Sequence, residues 1–156
     1  MKFWKATALL LGMLMLCSLW AQSGKSEQPS AETDQGGIVL LVNSQSGIWE
    51  QLSAKELKKI YLGKMTFRNG VRIILTSREE RELRETFFQE YTGKSDKSFT
   101  SYWKQKVFSE GGEVPKRIVG IEELISYITE HEGAIGFAWQ AEVPEVPAGL
   151  KVILPK

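Results

Sequence analysis

The sequence predicts a single α/β domain in which a mixed β-sheet is covered by helices on both faces. Two short apolar runs, at residues 38–42 and 134–138, have the β-rich composition of strands that are buried on both faces. Segments with apolar residues at helical spacing alternate with such strands along the chain. Alternation of this kind is typical of layered folds, so we expect three layers with the sheet in the middle.

Caps and turn residues set the predicted boundaries of these elements. Ser53 is a natural helix N-cap, Glu56 three residues later completes a capping box, and Gly63 ends that helix. Asn69-Gly70 is a strong turn signal before the next strand. The predicted elements are, in order, a strand at 38–42, a helix from 53, a strand at 71–75, helices at 78–91 and 98–108, a helix from 120, and strands at 134–138 and 150–154.

The N-terminus has the pattern of a signal peptide. Lys2 and Lys5 precede an uncharged apolar run that ends near Trp20 and is too short for a transmembrane helix. We expect cleavage after Ala21 or Ser23, with an uncleaved N-terminal anchor as the alternative. The predicted organisation is a signal peptide at 1–21, a disordered leader at 22–37 and one domain at 38–156, in a periplasmic or otherwise exported protein.

The single cysteine and the net charge limit the membrane and nucleic-acid contacts that can be expected. Leu16 precedes Cys17 where a lipoprotein signal needs a small residue, so a lipid anchor at Cys17 is the less favoured alternative. Cleavage after Ala21 leaves no cysteine, and stability must then come from packing. Removal of Lys2 and Lys5 leaves 18 basic residues (20 − 2) against 19 acidic ones, a net charge of about −1. Nucleic acid is therefore not an expected partner, and membrane contact is expected only through Cys17.

No catalytic or metal-binding constellation is found in the sequence. His131, which is the one histidine, is expected at a solvent-facing helix end, whereas metal sites and nucleophile–histidine systems need several converging groups. Many carboxylates lie four residues from Lys or Arg and indicate solvated helix faces. No phosphate-binding loop or dinucleotide fingerprint is present. We therefore expect a protein that is not an enzyme and that uses no cofactor and no metal.

Three tryptophans carry alternative interpretations. Trp103 lies at helical spacing from other apolar residues and is predicted in the core. Trp49 and Trp139 fit either the core or a stacking platform for a sugar or peptide.

Four segments of the chain form an ordered set of motifs. They are 57–64 (Leu-Lys-Lys-Ile-Tyr-Leu-Gly-Lys), Val42-Asn43, 73–78 (Ile-Ile-Leu-Thr-Ser-Arg) with Phe87-Phe88, and 133–137 (Gly-Ala-Ile-Gly-Phe). Together they resemble the phosphate substrate-binding proteins of ABC transporters, and they follow the family's order over nearly the whole predicted domain. The family's Trp-containing turn after the segment 57–64 has Phe67 here. The resemblance implies a periplasmic-binding-protein-like lobe, and the chain has the length of one lobe, matching the second.

The resemblance also implies an anion site, formed by Ser44, Thr76, Ser77 and Arg78. The family follows its junction arginine with an Asp-Gly-Ser-Gly-Thr loop, whose amides and hydroxyls hold the anion at a helix N-terminus. In this sequence residues 79–82 are Glu-Glu-Arg-Glu, so both glycines and both hydroxyls are replaced. Acidic residues there stabilise a helix but repel phosphate. The alternative role for Arg78 is a salt bridge to Glu82, one helical turn on.

Two functions of different classes follow from these observations. The first is a solute-binding-like protein that binds a small, phosphate-like anion. The second is an interaction module that has lost anion binding and docks an envelope, transporter or sensor protein, since a fold does not carry function once its site is gone. A dimer that rebuilds a two-lobed cleft is a third arrangement.

Overall fold

The computed structural model describes residues 35–154, so the predicted signal peptide and Cys17 lie outside the described residues. Within this part the chain forms seven strands and four α-helices. The strands are β1 (Ile38–Asn43), β2 (Phe67–Arg68), β3 (Val71–Arg72), β4 (Ile74–Arg78), β5 (Lys116–Ile118), β6 (Ala134–Trp139) and β7 (Leu150–Ile153). The helices are α1 (Ala54–Tyr61), α2 (Arg81–Thr92), α3 (Asp96–Glu110) and α4 (Ile121–Glu130).

A five-stranded mixed sheet, in the order β5-β4-β6-β1-β7, forms the middle layer. Strand β4 is parallel to both β5 and β6, whereas β1 is antiparallel to both β6 and β7. Every residue of β1 is buried, as is β6 from Ala134 to Ala138. These are the two apolar runs that predicted strands covered on both faces, and they occupy adjacent inner positions of the sheet.

Helices cover the two faces of the sheet unequally. Leu40 and Val42 of β1 pack on the side that holds α1, α2 and α3. Val39 and Leu41, which alternate with them, pack on the side that holds α4. The predicted α/β fold, a three-layer lobe with a mixed sheet covered by helices, is confirmed.

The capping box of α1 forms as predicted. The Ser53 hydroxyl accepts a hydrogen bond from the Glu56 amide (3.3 Å), and the Glu56 carboxylate accepts one from the Ser53 amide (3.0 Å). The bond from the Ser53 amide lowers the pKa of Glu56. Together the two bonds satisfy two amides that a helix N-terminus leaves free. Residues 60–63 then turn the chain out of the helix, with Gly63 at φ +62°.

The strand predicted at 71–75 is divided between two sheets. Asn69 and Gly70, both at positive φ, make the turn of the β2–β3 hairpin, as their dipeptide predicts. The Ile73 amide donates to the Thr66 carbonyl (2.8 Å), and the next amide, that of Ile74, donates to the Gly133 carbonyl (2.8 Å). The chain therefore leaves the hairpin and enters the main sheet at Ile73.

Further differences from the sequence prediction concern two helix starts, one strand and the predicted leader. Arg78 ends β4, and α2 starts only at Arg81, because Arg78 pairs with Ile118 in the sheet. Helix α3 starts at Asp96 rather than at 98, because the Ser95 hydroxyl caps it. Strand β5 was not predicted. The Gln35 and Gly37 carbonyls, within the predicted leader, accept hydrogen bonds from residues that follow β6.

No helix among residues 35–154 combines the length and apolarity that a membrane crossing needs.

Aromatic rings fill the core on the three-helix side. Phe137 of β6 stacks on Phe87 at 3.8 Å between ring centroids, and Tyr61 meets both rings at an angle. Tyr61 is fully buried, and its hydroxyl has no hydrogen-bond partner within the described residues. Burial accordingly raises the pKa of Tyr61.

We expect Tyr61→Phe to leave the free energy of unfolding unchanged or to raise it by up to about 1 kcal/mol, because it removes an unpaired buried hydroxyl. Tyr102→Phe is the matched control. The Tyr102 hydroxyl donates to the Leu62 carbonyl (2.8 Å), so its removal should cost about 1 kcal/mol. Urea denaturation of both variants measures the difference, and an equal loss in the two would contradict the expectation.

Candidate functional site

Three of the residues predicted to bind an anion lie in succession at the carboxyl end of β4. Thr76 is fully buried, and its hydroxyl donates to the Ile135 carbonyl of β6 (2.9 Å). Because side chains alternate along a strand, Ser77 faces the opposite side of the sheet from Thr76 and Arg78. The Thr76 hydroxyl is thus engaged by the sheet, and Ser77 and Arg78 belong to different environments.

Arg78 is held by a carboxylate from a distant part of the chain. Its Nη1 and Nη2 donate to Oε2 and Oε1 of Glu142, at 3.2 and 2.7 Å. Arg78 is only 3% exposed, so this bidentate ion pair is largely shielded from water. The alternative pairing with Glu82 is wrong, because α2 begins too late to bring Glu82 back to Arg78, and Glu142 follows β6 next to β4.

A second carboxylate lies at the same end of the sheet. Glu80 occupies the N-cap position of α2 without capping it, and its carboxylate accepts a hydrogen bond from the Trp139 indole (3.3 Å). The Trp139 amide donates to Glu142 (2.9 Å). Trp139 thus links Glu80 to Glu142, and Glu142 already holds the Arg78 guanidinium, so this position is not an open cationic site.

Arg84 on α2 is a buried charge that the sequence prediction missed. Its Nε and Nη2 donate to the Asp96 carboxylate at 2.9 and 2.8 Å, and its Nη1 donates to the carbonyls of Arg78 and Glu79. These bonds hold the pKa of Asp96 below its ordinary value and raise the pKa of Arg84. Arg84 therefore ties α2, the start of α3 and the end of β4 together.

Ser44 lies at the other end of the sheet. Val42 and Leu75 both pair with Ile135, and β1 runs antiparallel to β6 whereas β4 runs parallel to it. From that common level Ser44 is two residues in one direction and Arg78 three in the other, about 16 Å apart along the strands. Ser44 is exposed and cannot share one small anion with Arg78.

A pocket of about 370 Å³ opens between α3 and the edge strand β5. The pocket therefore lies at one edge of the main sheet, because β5 pairs with β4 only. Its apolar walls come from Phe99, Trp103, Val114 and Pro115. Its polar lining comes from Ser77, Arg84, Asp96, Thr100, Lys104, Lys116 and Arg117. Three cations, Arg84, Lys104 and Arg117, against the one carboxylate of Asp96 give this pocket a positive balance, whereas the Lys116 ammonium lies over the Tyr127 ring of α4. The pocket is separate from Arg78.

Comparison with known proteins gives the fold its context. No family model matches the chain, and no curated protein matches it in sequence. Among the solved structures that share its fold is a protein from Clostridium perfringens, described as a phosphate ABC transporter substrate-binding protein with bound phosphate. It has a TM-score of 0.55 and 21% identity, over 75% of this chain and 44% of its own. Another is an ABC-type phosphate transport receptor from Vibrio cholerae, with a TM-score of 0.53 and 18% identity, over 75% of this chain and 45% of its own.

The chain has the fold of a phosphate ABC transporter substrate-binding protein. It spans less than half the length of these neighbours, which agrees with a single-lobe form of that fold. The resemblance predicted from the ordered segments is thus confirmed for the fold. Both neighbours are named as transport or binding proteins and neither as an enzyme.

Trp49 and Trp103 are buried in the core of the domain, and Trp139 is half-buried. Trp103 is 6% exposed and its indole donates to the Tyr61 carbonyl (3.0 Å), which confirms its predicted place. Trp49 is also buried, so it offers no stacking platform. Trp139 is half-buried and bonded to Glu80.

His131 ends α4 as predicted. It is only partly exposed, stacks on Tyr127 with ring centroids 4.1 Å apart, and its Nδ1 hydrogen-bonds the Tyr127 carbonyl (2.8 Å). Within residues 35–154, no group of three His, Cys, Asp or Glu side chains is arranged to hold a metal ion.

Proposed function

We propose that the chain is an exported, non-enzymatic, solute-binding-like protein that takes a small anion at a position other than Arg78. The fold and the names of its structural neighbours support a binding role. The basic and apolar pattern of residues 1–21 supports export. The observation that carries the proposal is the cationic pocket that Ser77 lines. The next residue on β4, Arg78, is already neutralised by Glu142.

The Glu142 carboxylate occupies the position that an anion bound to Arg78 would need. Phosphate would have to displace two hydrogen bonds to a charged group, each worth about 1.5–3 kcal/mol. The Glu80 carboxylate, which is bonded to the Trp139 indole, adds negative charge to the same end of the sheet. Micromolar affinity needs about 8 kcal/mol in total, so this position does not capture free phosphate tightly.

Isothermal titration of the purified protein with phosphate, sulfate and small carboxylates tests the proposal. We expect heat of binding with at least one of these anions. The absence of heat with every anion at millimolar concentration would contradict it.

Glu142→Gln should increase the affinity for phosphate by about tenfold, because it frees the Arg78 guanidinium and removes one repelling charge. The glutamine oxygen can still accept the Trp139 amide. Glu145→Gln is the matched control, because this substitution removes the same charge from an exposed residue in the loop before β7. Equal phosphate affinities in the two variants would show that Glu142 does not close the site.

An interaction module is the second candidate function. The observation that favours it is again the Arg78–Glu142 pair, which closes the position where the resemblance implies an anion. A titration that is silent for all anions, together with reproducible capture of one defined envelope protein, would favour this function over solute binding.

A further inference from the structure

We infer that the pocket between α3 and β5 binds a small organic anion, a carboxylate attached to an apolar body. This inference rests on the proposed function and adds the ligand class and the residues that hold it. Three features of the pocket lead to it: a hydroxyl that forms no hydrogen bond within the described residues, an excess of cations and apolar walls.

The Ser77 hydroxyl is the polar group on the inner wall. Ser77 is only 7% exposed, lines the pocket, and has no hydrogen-bond partner for its Oγ within residues 35–154. The neighbouring Thr76 hydroxyl, in contrast, is bonded within the sheet. The Ser77 hydroxyl is open to the pocket and is free to donate a hydrogen bond to an acceptor that enters it. Thr100 brings a second hydroxyl from α3.

Cations outnumber anions around this hydroxyl. Arg84 and Asp96 neutralise each other, and Lys116 lies over the Tyr127 ring, with its Nζ 3.8 Å from the ring centroid. Lys104 and Arg117 form no salt bridge within the described part of the chain, and Arg117 acts on Asp96 only at longer range. These two charges are therefore available to an anion, and the positive balance of the lining attracts one.

The apolar walls distinguish an organic anion from an inorganic one. Phe99 and Trp103 form one side, and Val114 and Pro115 the other. Trp103 has its indole N–H committed to Tyr61, so it presents only its ring to a ligand. The pocket volume falls in the range that is typical of small-molecule sites, about 300–1,000 Å³. Phosphate or sulfate would leave these walls uncovered, whereas an aryl or alkyl group would cover them.

The test follows amide resonances of the purified protein by two-dimensional NMR during titration with benzoate, hexanoate, inorganic phosphate and benzyl alcohol. We expect benzoate or hexanoate to shift the resonances of Ser77, Thr100 and Arg117, and phosphate and benzyl alcohol to leave them in place. Acetyl-phenylalanine, compared with benzoate, distinguishes the carboxyl terminus of a peptide from a free small acid as the source of the ligand, and its amide tests whether the carboxylate is needed.

Arg117→Gln should weaken carboxylate binding by about tenfold, and Ser77→Ala by about threefold. Lys151→Gln, on β7 and away from the pocket, makes the same change of charge as Arg117→Gln and should bind as the unaltered protein does. Thermal unfolding of each variant checks that it is folded.

The outcomes separate this inference from the proposed function. Shifts confined to residues outside the pocket, phosphate binding as tightly as the carboxylates, or equal affinity in Arg117→Gln would overturn the inference and leave solute binding standing. No response to any anion would overturn both.

Discussion

Gly133→Ala should destabilise the domain by at least about 3 kcal/mol, out of the 5–15 kcal/mol that a folded domain has. A Cβ on Gly133 would lie 1.9 Å from the carbonyl oxygen of Arg72 and 3.0 Å from its carbonyl carbon. Both are backbone atoms, which cannot rotate away as a side chain can. The Gly133 carbonyl also accepts the Ile74 amide where the chain enters β4, so a displacement there disturbs the start of the central sheet.

Urea denaturation followed by circular dichroism measures this loss. Gly47→Ala is the matched control, because a Cβ there meets nothing within 4 Å and φ is not positive. We expect its free energy of unfolding to stay within about 0.5 kcal/mol of the unaltered protein. Similar denaturation midpoints for the two variants would mean that the β3–β4 connection moves aside freely.

Gly133 belongs to the segment Gly-Ala-Ile-Gly-Phe that carried part of the resemblance, and the packing explains why both glycines are needed. A Cβ on Gly136 would lie 2.6 Å from Leu124 and 2.8 Å from the Thr76 hydroxyl. Residues 133–136 are thus packed closely by β3, β4 and α4. The sequence identified the motif, but only the packing shows what a side chain there would displace.

The parts of the fold that the sequence predicted are those encoded by local patterns. β1 is apolar up to its last residue, Asn43, β6 is wholly apolar, and α1 carries its own capping box. The division of the strand at Ile73 was not predictable, because the apolar run continues through it and only hydrogen bonds to Thr66 and Gly133 separate the two sheets. Strand β5 has three residues, two of them charged, and shows no periodicity.

The candidate site was predicted less well, because its contacts are between distant residues. Arg78 was identified, but its partner Glu142 lies 64 positions away, whereas sequence spacing offered only Glu82. Arg84 had one local signal. It lies three and four residues before Phe87 and Phe88, and so on the buried face of α2. Its charge favoured the opposite interpretation, a solvent-facing residue.

Arg84→Met should cost about 3 kcal/mol of stability. The side chains of Arg84 and Asp96 are 8% and 16% exposed, and removing one partner leaves the other charge poorly solvated and unpaired. The carbonyls of Arg78 and Glu79 lose a donor as well. Lys106→Met breaks a pair with Glu110 that lies on the surface of α3 and should cause a much smaller loss. Equal losses in urea denaturation would show that the buried pair adds little.

The pH dependence of stability isolates the Asp96 contribution, because Arg84 depresses the pKa of Asp96 in the folded protein, and Arg117 and Arg81 add to the effect. A carboxyl whose folded pKa is depressed contributes stability that is complete above its unfolded pKa and is lost as the pH falls through the folded value. Thermal midpoints should therefore fall more steeply in acid for the unaltered protein than for Asp96→Asn, which has no proton to take up at that position. Parallel profiles would mean that Asp96 binds its proton as easily in the folded chain as in the unfolded one, and the ion pair would then contribute no stability.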